Sequence, residues 1–265
     1  MLKIIFIGDI SGKLGREAIK KIVPKLKKQS KADLIIANGE NMAHGVGVTK
    51  STLEEILEAG VDYITTGDHS FDANAIEDIY NGQFPIIRPA NFPPSNPGSG
   101  FILIEKNKKK ILLVNLIGRV FMRSDYDCPF REIDKILAMF TKKNLSAIIV
   151  DIHAEATSEK IAFKHYLDGR VSAVLGTHTH VMTADSQITD RKTAFISDVG
   201  MTGSADGIIG VDKENILKNF LDQRKYKHTI SKKGRAIFNA VEITINEKNK
   251  KAIKIKPIIK FIDIK

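Results

Sequence analysis

The sequence predicts an α/β protein in which two β-sheets pack face to face and are flanked by helices. Three observations lead there. Strand-like and helix-like runs alternate through the first half, a hairpin interrupts them in the middle, and strand-like runs close the chain. With 265 residues and 43% hydrophobic content, the chain can bury one large core, and no linker or composition break divides it, so one domain over 1–265 is expected.

Taken in order, a strand is expected at 2–8, a helix near 15–28, a strand at 33–38, a helix near 50–58 and a strand at 62–66. Such alternation reads as βαβ units on a largely parallel sheet. The proline- and glycine-rich stretch 89–100 is a long loop. It leads into the apolar runs Phe101 to Glu105 and Lys110 to Leu116, which the polar turn Lys106 to Lys109 joins as a hairpin. A helix near 130–142, a strand to Ile152, a helix near 158–167 and a strand at 171–175 resume the pattern. Thr193 to Ser197, Ala236 to Ile245 and Ala252 to Ile262 read as further strands, and the alternation Ile253-Lys254-Ile255-Lys256 implies one solvated face.

Composition narrows the chemistry. Cys128 is the single cysteine, which rules out an intramolecular disulfide framework and a cysteine-built zinc site and fits a reducing, cytoplasmic compartment. The opening MLKIIFI reads as a first strand, since its apolar run stops at Gly8-Asp9 without a cleavage site, and no run reaches membrane-spanning length. A net charge of +10 suits anionic partners, with RNA among them. The lysines, however, cluster at turns and helix faces with little aromatic interleaving, so a solvated surface is the expected role. A homo-oligomer is expected.

Candidate ligands sit where strands stop. Asp9 follows Leu2 to Ile7; Glu40 and Asn41 follow Leu34 to Ala37; Asp68 and His69 follow Tyr63 to Thr66; His153 follows Ala147 to Ile152. Gly176-Thr177-His178-Thr179-His180 adds a histidine clamp, whose alternate side chains share a face in extended backbone. In an α/β sheet the carboxyl ends of strands line one crevice, so these segments become neighbours. Each has a plainer reading. Asp9 is a metal carboxylate or an N-cap, Glu40 and Asn41 are ligands or a capped turn, and Asp68 and His69 are a metal ligand and a proton donor or a turn ion pair. Asp72 orients His69 or caps the next helix, Glu155 caps the helix after it, His44 is a surface residue or a neighbour of the ligands rather than a ligand, and His165 and His228 are ordinary helix and loop residues. Gly8 to Arg16 does not have the spacing of a phosphate-binding loop.

Together, Asp9, Glu40, Asn41, Asp68, His153, His178 and His180 are too many for one tetrahedral zinc and suit two ions bridged by Glu40. Mixed oxygen and nitrogen donors fit Fe, Mn, Zn or Ni. Two metals ~3.5–4 Å apart activate a bridging hydroxide and stabilise a leaving oxygen, which makes phosphoester hydrolysis the natural chemistry. Asn41 can alternatively bind substrate phosphate.

The residues GDISGKLGR, NGENMAHG, RPANFP, HAEATSEK, DGRVSAVLGTHTHV, TAD and DVGMTG, from 8 to 203, resemble the YmdB-type family of bacterial calcineurin-like metallophosphoesterases. The resemblance implies a four-layer α/β/β/α sandwich. It also implies a first metal on Asp9, Asn41 and His180, a second on His153, His178 and residue 68, a bridging Glu40, His69 as proton donor, and 2′,3′- or 3′,5′-cyclic nucleotides as substrates. Two departures stand out. The wider superfamily opens D-x-H where this chain has Asp9-Ile10-Ser11, as the closer family does, and the usual G-N-H is here Gly67-Asp68-His69. Two divalent ions, three carboxylates and a hydroxide sum to zero, whereas an asparagine would leave one positive charge. Asp68 is therefore expected to bind metal while lowering turnover or shifting metal preference. The alternatives are a metal-containing regulatory protein that binds RNA or protein, and a dimetal amidohydrolase.

Overall fold

The computed structural model describes residues 1–73, 76–82 and 84–265. Strand β1 (Leu2–Ile7) is apolar at every position but Lys3, so it must be covered on both faces. The first half continues with β2 (Asp9–Ile10), α1 (Gly12–Ser30), β3 (Leu34–Asn38), α2 (Lys50–Glu58), β4 (Tyr63–Thr65) and α3 (Ile76–Tyr80). The middle comprises β5 (Phe101–Lys106), β6 (Lys109–Ile117), α4 (Pro129–Met139), β7 (Ala147–His153), α5 (Thr157–Leu167) and β8 (Ala173–Thr177). The last part adds β9 (Gln187–Ile188), β10 (Ala194–Ile196), β11 (Met201–Ser204), α6 (Lys213–Asp222), β12 (Gly234–Asn246) and β13 (Lys251–Ile264).

Among the described residues these strands form two sheets. One runs β2-β11-β12-β1-β3-β4 with β13 also on β12, and the other runs β5-β6-β7-β8-β10-β9. β1, β3 and β4 are parallel, as are β6, β7, β8 and β10. Side-chain alternation sorts the core into three layers. Leu2, Ile4 and Phe6 meet Ile111, Leu113, Ile149 and Leu175 between the sheets. Ile5 and Ile7 turn to α1 and α2, while Leu112, Val114 and Leu116 turn to Ile133 of α4 and Phe163 of α5. Helices, sheet, sheet, helices is the four-layer sandwich expected of the calcineurin-like fold.

Several details differ from the sequence expectation. α1 begins at Gly12 with Ser11 as N-cap, so Asp9 is not a cap but lies in β2, paired with Met201 of β11. β2, α3, β9, β11 and α6 were not anticipated, because they are short or bury too little to leave a periodic signal. The alternation at Ile253 to Lys256 is broken. A register shift opposite Thr244 and Ile245 leaves Ile253 unpaired and 49% exposed, while Ile255 packs on the inter-sheet core.

The two sheets place β1, β3, β4, β7 and β8 so that their carboxyl ends open at one edge. No helix among the described residues is long and apolar enough to cross a membrane. Since Leu113 is fully buried between the sheets, Leu113→Ala should destabilise the fold by about 2–5 kcal/mol, read as a fall in the urea midpoint.

Candidate metal centre

Each candidate ligand leaves the sheets at that shared edge. Asp9 opens β2, Glu40 and Asn41 follow β3, Asp68 follows β4, His153 ends β7, and His178 and His180 follow β8. The last two are not on extended backbone as the spacing suggested. His178 has φ 106° and His180 φ 66°, so the clamp is a left-handed turn that sends the two rings to different places. Two hydrogen bonds hold this turn. His178 N donates to Asp9 Oδ2 at 3.2 Å and Thr179 N to Asp198 Oδ2 at 2.9 Å. Asp198 is itself fixed by the buried ion pair with Lys160 at 2.8 Å.

Donor atoms gather into two groups that share one residue. Glu40, Asp68, His153 and His178 form one, and Asp9, Glu40 and His180 the other, with all the donor atoms of each group within 4.8 Å of one another. In the first, His153 Nε2 lies 3.1 Å from Glu40 Oε2, 3.2 Å from Asp68 Oδ1 and 3.0 Å from His178 Nδ1. In the second, Asn41 Nδ2 sits 2.9 Å from Glu40 Oε1 and 3.2 Å from His180 Nε2. Turning that amide would put its oxygen beside the ring instead. All seven sequence-derived candidates are thus brought together.

The outer nitrogen of each imidazole faces an oxygen, which fixes the inner one. Thr177 Oγ1 donates to Asp151 Oδ1 at 2.8 Å, so it accepts from His153 Nδ1 at 2.9 Å. His180 Nδ1 donates to the Ile209 carbonyl at 2.8 Å, and His178 Nε2 faces Glu155 Oε2 at 3.1 Å. His153 Nε2, His178 Nδ1 and His180 Nε2 are therefore the nitrogens turned inward, with the outer partners setting tautomer and orientation as metal-ligating histidines require.

The electrostatics calls for cations. Burial pushes the Asp9 carboxyl up to about 7, and its Oδ1 is buried without a hydrogen-bond partner. Burial would lower His153, yet Glu40 and Asp68 raise it well above the ordinary imidazole range. Burial and the neighbouring His153 charge push His178 down to about 4. Burial also works against the Asp68 anion, but the His153 hydrogen bond and the charges of His153, His69 and His178 hold that carboxyl well below its usual range. In the metal-free chain a proton on His153 thus serves where a metal ion can serve both rings. An orphaned carboxylate oxygen, inward-facing ring nitrogens and a shared Glu40 fit two metal ions.

His69 lies beside the cluster. Its N–H donates to Glu40 Oε2 at 3.4 Å, its Nδ1 bonds Asp72 Oδ2 at 2.7 Å, and its Nε2 is 4.0 Å from Asp68 Oδ2. Of the two readings open for Asp72, the structure shows the contact with His69. Glu155 is not the helix cap expected of it. α5 is capped at Ala156 without a side-chain bond, and Glu155, 48% exposed, faces His178. His44, His165 and His228 are exposed, away from the cluster. Sequence reasoning missed Asp151 and Thr177, which act only through spatial contact, and the role of Gly67. A Cβ there would lie 2.2 Å from Glu40 Oε2 and 2.4 Å from His153 Nε2, and the glycine immediately before Asp68 was the available signal.

Comparison with known proteins agrees with the motifs. Residues 5–258 match the family model described as YmdB-like protein. The chain belongs to the YmdB-like family. Among its relatives, a Bacillus subtilis (strain 168) protein named 2′,3′-cyclic-nucleotide 2′-phosphodiesterase is 44% identical over 258 residues, 97% of each chain. A solved structure described as a novel phosphatase from Mycoplasma pneumoniae superposes with TM-score 0.92 at 37% identity, covering 99% of this chain and 94% of that one. A hypothetical protein from Thermus thermophilus gives TM-score 0.91 at 38% identity, covering 98% of this chain and 99% of that one.

Two outcomes are expected. Gly67→Ala should abolish metal uptake, measured by elemental analysis, while the far-UV circular dichroism stays native. Because the Asp9 carboxyl titrates near 7 when folded, above its unfolded value of about 3.9, its contribution to metal-free stability is lost as pH rises through that window. Metal binding needs the anion, so metal affinity should climb with pH up to about 7. Calorimetry in buffers of different ionisation enthalpy should show proton release.

Proposed function

We propose that this chain is a metal-dependent phosphodiesterase of one domain, with 2′,3′-cyclic nucleotides as the first substrate class and 3′,5′-cyclic nucleotides as the second. The observation that carries this reading is the inward orientation of three imidazoles around a Glu40 common to both donor groups. The Bacillus subtilis relative's name supports the substrate class. Asp9, Asn41 and His180 would hold one ion, Asp68, His153 and His178 the other, with Glu40 between them. When bound, such a pair polarises the phosphoryl group and supplies a nucleophile at neutral pH. Iron and manganese are the proposed metals, and a cytoplasmic compartment the proposed setting.

The chain's own residues do the rest. The His153, His178 and His180 rings are locked by Thr177, Glu155 and the Ile209 carbonyl, so the donors are preorganised. Asp72 accepts the Nδ1 proton of His69, which leaves Nε2 as the atom that hands a proton to the departing ribose oxygen. Asn41 can turn its amide nitrogen to a phosphate oxygen. Asp68 adds a carboxylate where the family pattern has an amide, which weakens the pull on an anionic substrate.

Purified protein analysed for metal and assayed on 2′,3′-cyclic AMP, 3′,5′-cyclic AMP and bis(p-nitrophenyl) phosphate tests the proposal. Hydrolysis should fall at least about a hundredfold in His178→Ala and Glu40→Gln and on chelation; a rate indifferent to all three would sink it. Asp68→Asn should raise turnover several-fold with Mn or change the preferred metal. An unchanged or lower rate together with unchanged metal content would remove the role given to Asp68.

A further inference from the structure

The loop between β6 and α4 forms a wall beside Asp68, and it is held at both ends. The buried Glu159 carboxylate accepts from Arg119 N at 3.1 and 3.0 Å and from Val120 N at 3.1 Å. The Asn91 amide ties the two ends together: it donates to the Ile117 carbonyl where the loop starts and to the Asp127 carbonyl where it ends, both at 2.8 Å, and accepts from Ile117 N at 2.9 Å. Between these anchors the loop presents Arg123. Its Nη1 and Nη2 each bond one Asp72 oxygen at 2.7 Å, and its Nε lies 4.0 Å from Asp68 Oδ2. The same Asp72 carboxylate accepts from His69 Nδ1.

We propose that Arg123 is a positioning residue: its guanidinium fork fixes Asp72 against His69 and its charge offsets the carboxylate of Asp68. This rests on the reading of His69 as proton donor and of Asp68 as metal ligand. Two oxygens gripped by a planar fork leave Asp72 one orientation, and that orientation points Oδ2 at the His69 ring. Without the fork, Asp72 is free to rotate and His69 loses its fixed ring plane. The charge acts separately. Counting two divalent ions against Asp9, Glu40 and Asp68, the extra carboxylate removes one unit of positive charge, and Arg123, though paired with Asp72, offsets part of that loss through its Nε 4.0 Å from Asp68 Oδ2. A cation there also competes with the metal for Asp68, so removing it strengthens metal binding while weakening proton transfer. A residue that merely supported the loop would weaken both.

The experiment compares wild type, Arg123→Gln, Arg123→Lys and Arg123→Gln/Asp68→Asn. Two substrates separate the proton-transfer role: 2′,3′-cyclic AMP, whose leaving alkoxide needs a proton, and bis(p-nitrophenyl) phosphate, whose nitrophenolate does not. Arg123→Gln should lower kcat on the cyclic nucleotide by about tenfold and stay within about twofold on the aryl ester. Arg123→Lys should share that selective loss, since an ammonium lacks the fork. In parallel, Mn titrated into metal-free protein by calorimetry reads the charge role without any turnover. Arg123→Gln should bind Mn about threefold more tightly, a small effect because Arg123 is 49% exposed and screened. Arg123→Lys should stay near wild type, and the gain should vanish in the double variant relative to Asp68→Asn alone. Equal losses on both substrates, or no loss, overturn the positioning role, and unchanged or weaker Mn binding in Arg123→Gln overturns the charge role. Wild-type hydrolysis of neither substrate would instead overturn the phosphodiesterase reading, and the titration would still decide the charge role.

Discussion

The site depends on one buried carboxylate that belongs to neither donor group. Asp151, on β7, accepts from Asn38 Nδ2 at 3.0 Å and Thr65 Oγ1 at 2.6 Å, both from the other sheet, and from Thr177 Oγ1 at 2.8 Å on its own. Burial pushes this carboxyl up to about 6, while the His153 charge and the hydrogen bonds from Thr65, Thr177 and Asn38 favour its anion. A charge so placed is tolerated only because its oxygens are satisfied, and satisfying them requires the two sheets to meet in one register. The same contact makes Thr177 an acceptor toward His153 Nδ1 and so aims Nε2 at the site. Sheet packing and ring orientation are thereby one constraint.

A second buried pair governs the histidine turn. Lys160 reaches from α5 to Asp198, which also accepts from Thr179 N and Gly200 N. Left-handed backbone at two non-glycine residues is unfavourable, and it persists where surrounding contacts determine it. The cost falls where it has a use. Had residues 177–180 stayed extended, His178 and His180 would have faced the same way; the turn instead assigns one ring to each donor group.

This difference also shows what was legible in the sequence. Strands with both faces buried, such as β1, β6 and β7, announce themselves as apolar runs, and polar residues at their ends mark the crevice, so all seven donors could be named. The four layers followed from the ordered motifs. Geometry was less accessible. Spacing placed the histidine clamp on one extended face, because the bonds from His178 N to Asp9 and from Thr179 N to Asp198 link positions far apart in the chain. Asp151 looked like one more residue in a strand and Glu155 like a cap, and nothing in the spacing singled out Arg123, since what each does depends on partners that only folding supplies. β2 and β11 were invisible for a related reason. Their pairing spans Asp9 to Met201 and leaves too short a run for periodicity to register.

Asn91 and Glu159 give physical content to motif residues that carry no chemistry. Both lie in stretches that resemble the family, RPANFP and HAEATSEK, and neither approaches the donor groups. Each satisfies backbone groups of the loop leading from β6 to α4, where a missing partner would leave buried polar atoms unpaired at a cost of about 1–3 kcal/mol. The loop is therefore rigid at its ends and open at its tip. Such an arrangement separates two kinds of change: altering an anchor displaces the whole wall, whereas altering the tip changes the charge presented to Asp68 and the grip on Asp72 while the wall stays in place. A carboxylate at 68 and a guanidinium at 123 can then act as a matched pair within an unchanged frame, and the charge balance of the centre becomes a property of two residues rather than one.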